Sequence, residues 1–382
     1  MKIIVAGGDG FCGWPTALYL SKQGFDVAII DNLVRREYDV EMDSNSLTPI
    51  APLEERVAKW KEVSGKNIDL YIGDLNDYDF LSQVFEAFKP EAFVHYAEQR
   101  SAPYSMIDRE HAIYTQSNNV LGTLNVLYAM KAFAPDCHLI KLGTMGEYGT
   151  PNIDIEEGWI DIEHKGRKDR MLYPKKPGSF YHLTKVHDSH NIEFACRSWG
   201  IRATDLNQGV VYGINIDEND QDPILYNRFD YDGIFGTVLN RFIVQAAKGL
   251  PLSVYGKGGQ TRGFINIEDT VRCIEIAALN PAERGEFRVF NQMTQYFSVQ
   301  DLAEKVKKVA EEEGLEVTIS HVENPRVEQE EHYFHAVSTR LEDLGLKPHQ
   351  LTDDVIRRVL KLAMDNIDRL KEDKVMNSPS WK

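Results

Sequence analysis

Lys2-Ile3-Ile4-Val5-Ala6-Gly7-Gly8-Asp9-Gly10-Phe11-Cys12-Gly13 decides the fold of this chain. Residues 3–6 are an unbroken apolar run, the pattern of a strand covered on both faces in a parallel sheet. Glycines follow at 7, 10 and 13, and a helical run continues through Leu20. This order of strand, glycine turn and helix suits a dinucleotide. The glycines allow a tight turn, close backbone approach to a pyrophosphate and close helix–strand packing. The helix N-terminus supplies amide donors and a dipole that favours phosphate. Gly7, Gly10, Phe11, Cys12 and Gly13 are therefore cofactor candidates.

The second strand, Asp26 to Ile30, ends in Asp31-Asn32. A carboxylate at that point accepts from both ribose hydroxyls and argues for NAD over NADP. Arg35 and Arg36 pull the other way, since an arginine holds a 2′-phosphate. Asp31 carries more weight, because it would repel that phosphate. A polar insertion spans 34–67, with loop over 43–52 and helix over 54–63. The next strand, 70–72, leads to Asp74 and Leu75 on the adenine side. Strand 91–96 runs into Ala97, Gln99 and Arg100. Ligands bind at such carboxyl ends of strands, which makes Arg100 a site candidate.

A long helix is predicted over 113–133, with Asn118 and Asn119 placed to orient catalytic groups. Strand 138–142 ends in Gly143-Thr144-Met145-Gly146-Glu147, so Thr144 stands at the mouth of the cleft. The charged segment 151–179 reads as a flap. Tyr181 opens a helix to Trp199 that also carries Lys185, one turn on and on the same face. The ammonium favours the phenolate and draws the tyrosine's pKa down, giving a base for an alcohol hydroxyl. Strand 202–206 then delivers Asn207 and Gln208.

The βα rhythm breaks near residue 213. The expected fold is α/β: a doubly wound parallel Rossmann domain over 1–206 with a smaller mixed α/β domain. The first carries the insertions 34–67 and 151–179 and regains a strand and helix from 266–291. The second comprises 207–265 and 292–382, with helices over 236–248, 299–313 and 352–370.

Composition narrows the chemistry. A net charge of −16 over 382 residues disfavours nucleic acid and anionic membranes as partners. An anionic substrate then needs a local cluster of arginines. The four cysteines match no metal or redox spacing. No stretch is apolar enough to span a membrane, and a first strand at Lys2 leaves no room for a leader peptide. A cytoplasmic location is expected. His187 and His190 are three apart, as are His332 and His335 beside Glu328 and Glu331, but neither group completes a ligand set, so no metal is expected.

Gly7-x-x-Gly10-x-x-Gly13, Asp31, Thr144 and Tyr181-x-x-x-Lys185 together resemble the extended short-chain dehydrogenase/reductase family of nucleotide-sugar enzymes. Asp31 to Arg36, Glu98 to Met106, 142–158, Phe180 to Asn191, Ala203 to Gly213 and Gly256 to Gly263 are similar to the branch that joins sulfite to a UDP-sugar. The resemblance covers essentially the whole chain. It implies UDP-glucose and sulfite as substrates, tightly held NAD, no net redox change, and a homodimer formed by helices 113–133 and 181–199. It implies that Tyr181, activated by Lys185, takes the proton of the sugar 4-hydroxyl while Thr144 binds the same oxygen. It further implies that Asn118 meets the cofactor, that Gln99, Asn207, Gln208 and Gln260 meet the substrate, and that Arg262 and Arg326 clamp the diphosphate.

One departure separates this chain from the related 4,6-dehydratases, which place an Asp-Glu pair after the threonine. Met145 and Gly146 stand there instead. The acid–base work at C5 and C6 is assigned to His182 first and Glu147 second, and Arg100 is the candidate for contact with sulfite or the 4-oxygen. Two other readings stay open. A UDP-glucose 4-epimerase shares Thr144, Tyr181 and Lys185, and a non-catalytic NAD-binding scaffold shares the glycine turn but has no use for an activated phenol.

Overall fold

The computed structural model describes residues 1–326, 333–376 and 378–381. Seven parallel strands form the central sheet, in the order Phe287–Gln292, Arg202–Gln208, His138–Thr144, Ala92–His95, Lys2–Ala6, Asp26–Asp31, Ile68–Ile72. Alternate strand residues feed opposite faces. Ile3, Val5, Val27 and Ile29 pack on one side with Trp14 and Leu18, while Ile4, Ala6, Ala28 and Ile30 pack on the other with Phe85 and Phe93. Burial on both faces is why the first strand shows no alternation in sequence.

The sheet runs outward in both directions from Lys2–Ala6. That strand and Ala92–His95 flank the switch point, where a crevice opens beyond the carboxyl ends. Phe287–Gln292 pairs in parallel with Arg202–Gln208 and forms one edge of this sheet. The remaining chain builds a second apolar core, with Phe242, Leu252, Phe264, Val306 and Leu360 at its centre. Small sheets frame it: Val210–Tyr212 with Thr261–Asn266 and Gln295–Ser298, and Leu252–Tyr255 with Ile319–Val322.

Four local expectations change. The 113–133 helix starts earlier, as Arg109–Gln116, passes through a π-type turn at Ser117–Leu121 and continues as Gly122–Phe133. Asp108 caps it by accepting the His111 N–H at 2.9 Å, and the wide turn swings Asn119 inward. The flap contains an antiparallel hairpin, Trp159–His164 with Arg167–Leu172, turning at Lys165-Gly166, both at positive φ. The 34–67 insertion holds a further helix at Val34–Glu41 before the predicted one at Leu53–Ser64. The tail helix is Asp353–Asp365 and stops short of 370. Among the described residues no helix is long and apolar enough to cross a membrane. His332, Glu328 and Glu331 lie outside the described residues, while His335 faces Asp154 at 3.3 Å.

Candidate active site

The glycine turn is a cradle that only glycine fits. A Cβ at Gly13 would sit 2.0 Å from the Gly7 carbonyl oxygen, and Gly7 itself has φ of +85°. Asp31 closes one end. Its carboxylate accepts from the Asp9 N–H at 2.8 Å and the Leu33 N–H at 2.7 Å. Burial pushes it up to about 6, which still leaves it ionised at neutral pH.

Asp9 and Trp14, unusual in such a loop, explain how the turn is anchored. The buried Asp9 carboxylate accepts from Arg36 at 2.7 and 2.8 Å and from Arg56 at 2.9 Å. The Arg56 guanidinium lies 4.1 Å over the Trp14 ring, and the Trp14 indole donates to the Leu225 carbonyl. The turn is thereby tied to the 34–67 insertion and to the segment around Leu225, which packs in the same core as Trp14. Arg36, a sequence candidate for the cofactor, is turned onto Asp9 and the carbonyls of Ile50 and Ala51, and does not line the crevice. Its charge is engaged by Asp9, so this one of the two arginines that argued for a 2′-phosphate is not available for one. Arg35 does line the crevice, paired with Asp39 and Asp230 and lying over the Phe235 ring at 4.0 Å.

A single cavity collects Gly7, Gly10, Phe11, Cys12, Gly13, Asp31, Asn32, Asp74, Leu75, Ala97, Arg100, Asn118, Thr144, Tyr181, Lys185 and Gln208. Asn32 donates to Asp74 at 2.9 Å. Arg100 reaches Asp230 and the Phe235 carbonyl. Thr144 and Gln208 are register partners on adjacent strands, so both stand at the same level of the crevice. The Phe180–Trp199 helix enters from the other side. Ser179 caps it by accepting from His182 N–H, and Ser105 accepts from Tyr181 N–H at 3.0 Å. That anchorage places the Lys185 Nζ 5.8 Å from the Tyr181 ring centre.

Lys185 has a carboxylate partner as well as the phenol. Its Nζ lies 2.8 Å from Glu98 Oε2 and donates to the Leu142 carbonyl at 2.7 Å. Burial lowers its pKa, but Glu98 and Tyr181 raise it more, so it stays charged. Tyr181 is also corrected. Burial, then Glu98, outweigh the pull of Lys185, Lys141 and Arg100, so the phenol is held above its ordinary range. Glu98 was passed over in sequence although it sits at the carboxyl end of a strand, which was the available signal.

Several candidates lie beside the cavity rather than on it. Glu147 is fully buried under Thr144. It accepts from the Thr144 N–H at 3.2 Å and is gripped by Lys175 and Lys141. Burial raises its carboxyl, but the two lysines hold it at about 2, which suits a fixed anion and not a proton donor. Met145 packs with Tyr148, Ile155 and Tyr173. Asn207 donates to the Tyr148 hydroxyl at 2.6 Å, and Gln99 donates to Thr115 at 2.9 Å while Asn119 bonds its backbone. Gln260 donates to the Tyr255 carbonyl, and Arg262 to the Thr261 carbonyl. Arg326 lies 5.3 Å from the Trp381 ring centre.

His182 fills the space that Gly146 leaves: a Cβ there would fall 2.3 Å from the imidazole Nε2. Burial, with Arg326 and Arg262 nearby, lowers His182 to about 4, so the ring is neutral at pH 7. Its buried Nδ1 has no hydrogen-bond partner among the described residues. No cluster of three or more metal-ligating side chains occurs among the described residues.

The model of the NAD dependent epimerase/dehydratase family matches residues 3–291. UDP-sulfoquinovose synthase of Spinacia oleracea, chloroplastic by its name, is 60% identical over 381 residues, spanning 100% of this chain and 79% of the relative. UDP-sulfoquinovose synthase of Sulfolobus acidocaldarius is 45% identical, spanning 100% of this chain and 97% of the relative. Among solved structures, the Thermotoga maritima UDP-glucose 4-epimerase with UDP-glucose superposes with TM-score 0.70 at 20% identity, covering 94% and 98% of the two chains. The fold is thus shared with an epimerase at 20% identity, whereas the two synthases are 60% and 45% identical along the whole chain. This chain belongs to the NAD dependent epimerase/dehydratase family and, within it, groups with the UDP-sulfoquinovose synthases.

Proposed function

We propose that this enzyme converts UDP-glucose and hydrogensulfite to UDP-sulfoquinovose and water. The observation that carries the reading is the convergence of Thr144, Tyr181 and Lys185 on the cavity of the glycine turn, with His182 filling the space over Gly146. NAD is the cofactor of the family, and the glycine cradle and Asp31 fit it. When bound, it supplies hydride exchange at C4. Tyr181 as phenolate takes the proton of the sugar 4-hydroxyl and, as phenol, returns it when C4 is reduced. The Thr144 Oγ accepts from Gly146 N–H at 3.2 Å, which leaves its own hydrogen for the same sugar oxygen.

A 4-ketone makes the C5 proton acidic. The neutral His182 imidazole accepts that proton and passes it to the departing C6 hydroxyl, which leaves as water. Sulfite sulfur adds at C6, C5 regains a proton, and C4 is reduced again. Arg262 and Arg326, both close enough to influence His182, supply positive charge for the diphosphate or for sulfite, and Arg100 does so from the cavity wall. The lobe built from 207–265 and 292–382 receives the UDP-sugar. A second copy of the chain is the proposed partner, through Ile113, Leu121, Tyr128 and Phe194, each 46% exposed or more. Four free cysteines fit a reducing, cytoplasm-like compartment.

Mass spectrometry of UDP-glucose incubated with the enzyme, with and without sulfite, tests the reading. A UDP-sugar sulfonate formed only with sulfite supports it, and UDP-galactose in both samples makes the enzyme an epimerase. His182→Ala is expected to retain NAD and UDP-glucose binding and to lose about a hundredfold in sulfonate formation. Unchanged turnover would remove His182 from the chemistry.

A further inference from the structure

Glu98 is a buried carboxylate on the cavity wall, with a side chain only 1% exposed. It and the Leu142 carbonyl grip the Lys185 ammonium from two directions, at 2.8 and 2.7 Å. Apart from that ion pair, neither carboxylate oxygen has a hydrogen-bond partner among the described residues. Leaving a carboxylate so poorly solvated is costly unless its charge is put to use. An ammonium paired in this way shows the neighbouring phenol little net charge.

We propose that Glu98 is a positioning residue of the catalytic pair: it fixes the Lys185 ammonium so that Tyr181, once its phenolate has taken the proton of the sugar 4-hydroxyl, holds that proton until C4 is reduced again. This rests on the reading that Tyr181 exchanges a proton with the sugar 4-oxygen. Under that reading, C4 must recover at the end what it lost at the start. The phenol therefore has to keep its proton while bonds break and form at C5 and C6.

The groups facing the pair define the balance. Lys185, Lys141 and Arg100 favour the phenolate, Glu98 and burial oppose it, and the His182 ring sits 5.1 Å from the Tyr181 ring. Behind Glu98 stand His95, at 4.0 Å from Oε1, and Asp188. Burial holds His95 down at about 4, so its ring is uncharged at neutral pH, and burial, then Glu98, raise Asp188 well above the carboxylate range. Glu98 is the carboxylate in direct contact with the Lys185 ammonium.

Ultraviolet titration of tyrosinate tests this on the purified enzyme, on Glu98→Gln and on Glu98→Asp. Each protein is read against the same protein carrying Tyr181→Phe, so that the other tyrosines cancel. The Tyr181 midpoint is expected to fall by about one pH unit in Glu98→Gln, tenfold more phenolate at a given pH. Glu98→Asp, with its carboxylate drawn back from the ammonium, is expected to fall between the two. The pH profile of kcat should move down in the same order, with more 4-keto sugar trapped by borohydride. If Glu98→Gln fails to fold, Glu98→Asp against the parent carries the test. A midpoint that stays put or rises overturns the proposal, even if activity falls. The titration needs no substrate, so its failure is separable from a failure of the proposed reaction.

Discussion

Tyr181→Phe is expected to lower sulfonate formation by about 10³-fold while leaving the fold and the bound NAD intact. The substitution removes one oxygen from a residue whose position is set elsewhere. Ser105 holds its backbone N–H, and the Thr184 hydroxyl donates to its carbonyl at 2.7 Å. Its own hydroxyl has no hydrogen-bond partner among the described residues, so removing it orphans nothing inside the protein. The loss therefore falls on proton exchange with the sugar. Turnover followed by mass spectrometry, with NAD content read from the ultraviolet spectrum, checks both halves. A variant that kept full turnover would show that some other group moves the 4-hydroxyl proton, and would reopen the scaffold reading for Tyr181.

The second large effect is on stability. Lys141→Met is expected to cost about 3–5 kcal/mol, read as a fall in the denaturant midpoint. Lys141 is fully buried, with its Nζ 3.4 Å from both Glu147 and Asp205 and 3.1 Å from the Lys185 carbonyl. Burial alone would discharge it, but Asp205 and then Glu147 keep it protonated. Methionine matches its length and removes its charge. Glu147 would then keep Lys175 as its one paired cation among the described residues, and Asp205 would keep only the Ser189 hydroxyl, which donates at 2.7 Å. Activity should fall with stability, because the Glu147 carboxylate that Lys141 holds also receives the Thr144 backbone N–H. A loss below about 1 kcal/mol would mean that the cluster relaxes or admits water, and that Lys141 is not its keystone.

These two sites differ in how far sequence could reach them. Tyr181 and Lys185 stand one helical turn apart, and helical periodicity forces them onto one face whatever surrounds them. Gly7, Gly10, Gly13 and Asp31 are equally local, since a turn that admits no Cβ and a carboxylate at the end of the next strand are properties of a few consecutive residues. Thr144 and Gln208 need only the register of two adjacent parallel strands.

Charge partners are another matter. Arg36 and Asp9 are 27 positions apart, and only the folded insertion reveals that the arginine serves the glycine turn from behind. Glu147 reads as a candidate acid because it follows Thr144 closely. In the fold it turns under the sheet to meet Lys141 and Lys175, and two cations at once fix it as an anion. Glu98 and Lys185 are far apart in sequence yet meet at 2.8 Å.

The sequence by itself determined the parallel sheet, the dinucleotide turn and the tyrosine–lysine pair, because each follows from backbone geometry over short stretches. The tertiary structure alone decided the protonation of that pair and which arginines and carboxylates face the cavity. Protonation depends on burial and on charges brought within a few ångströms by distant segments, and no local pattern encodes either.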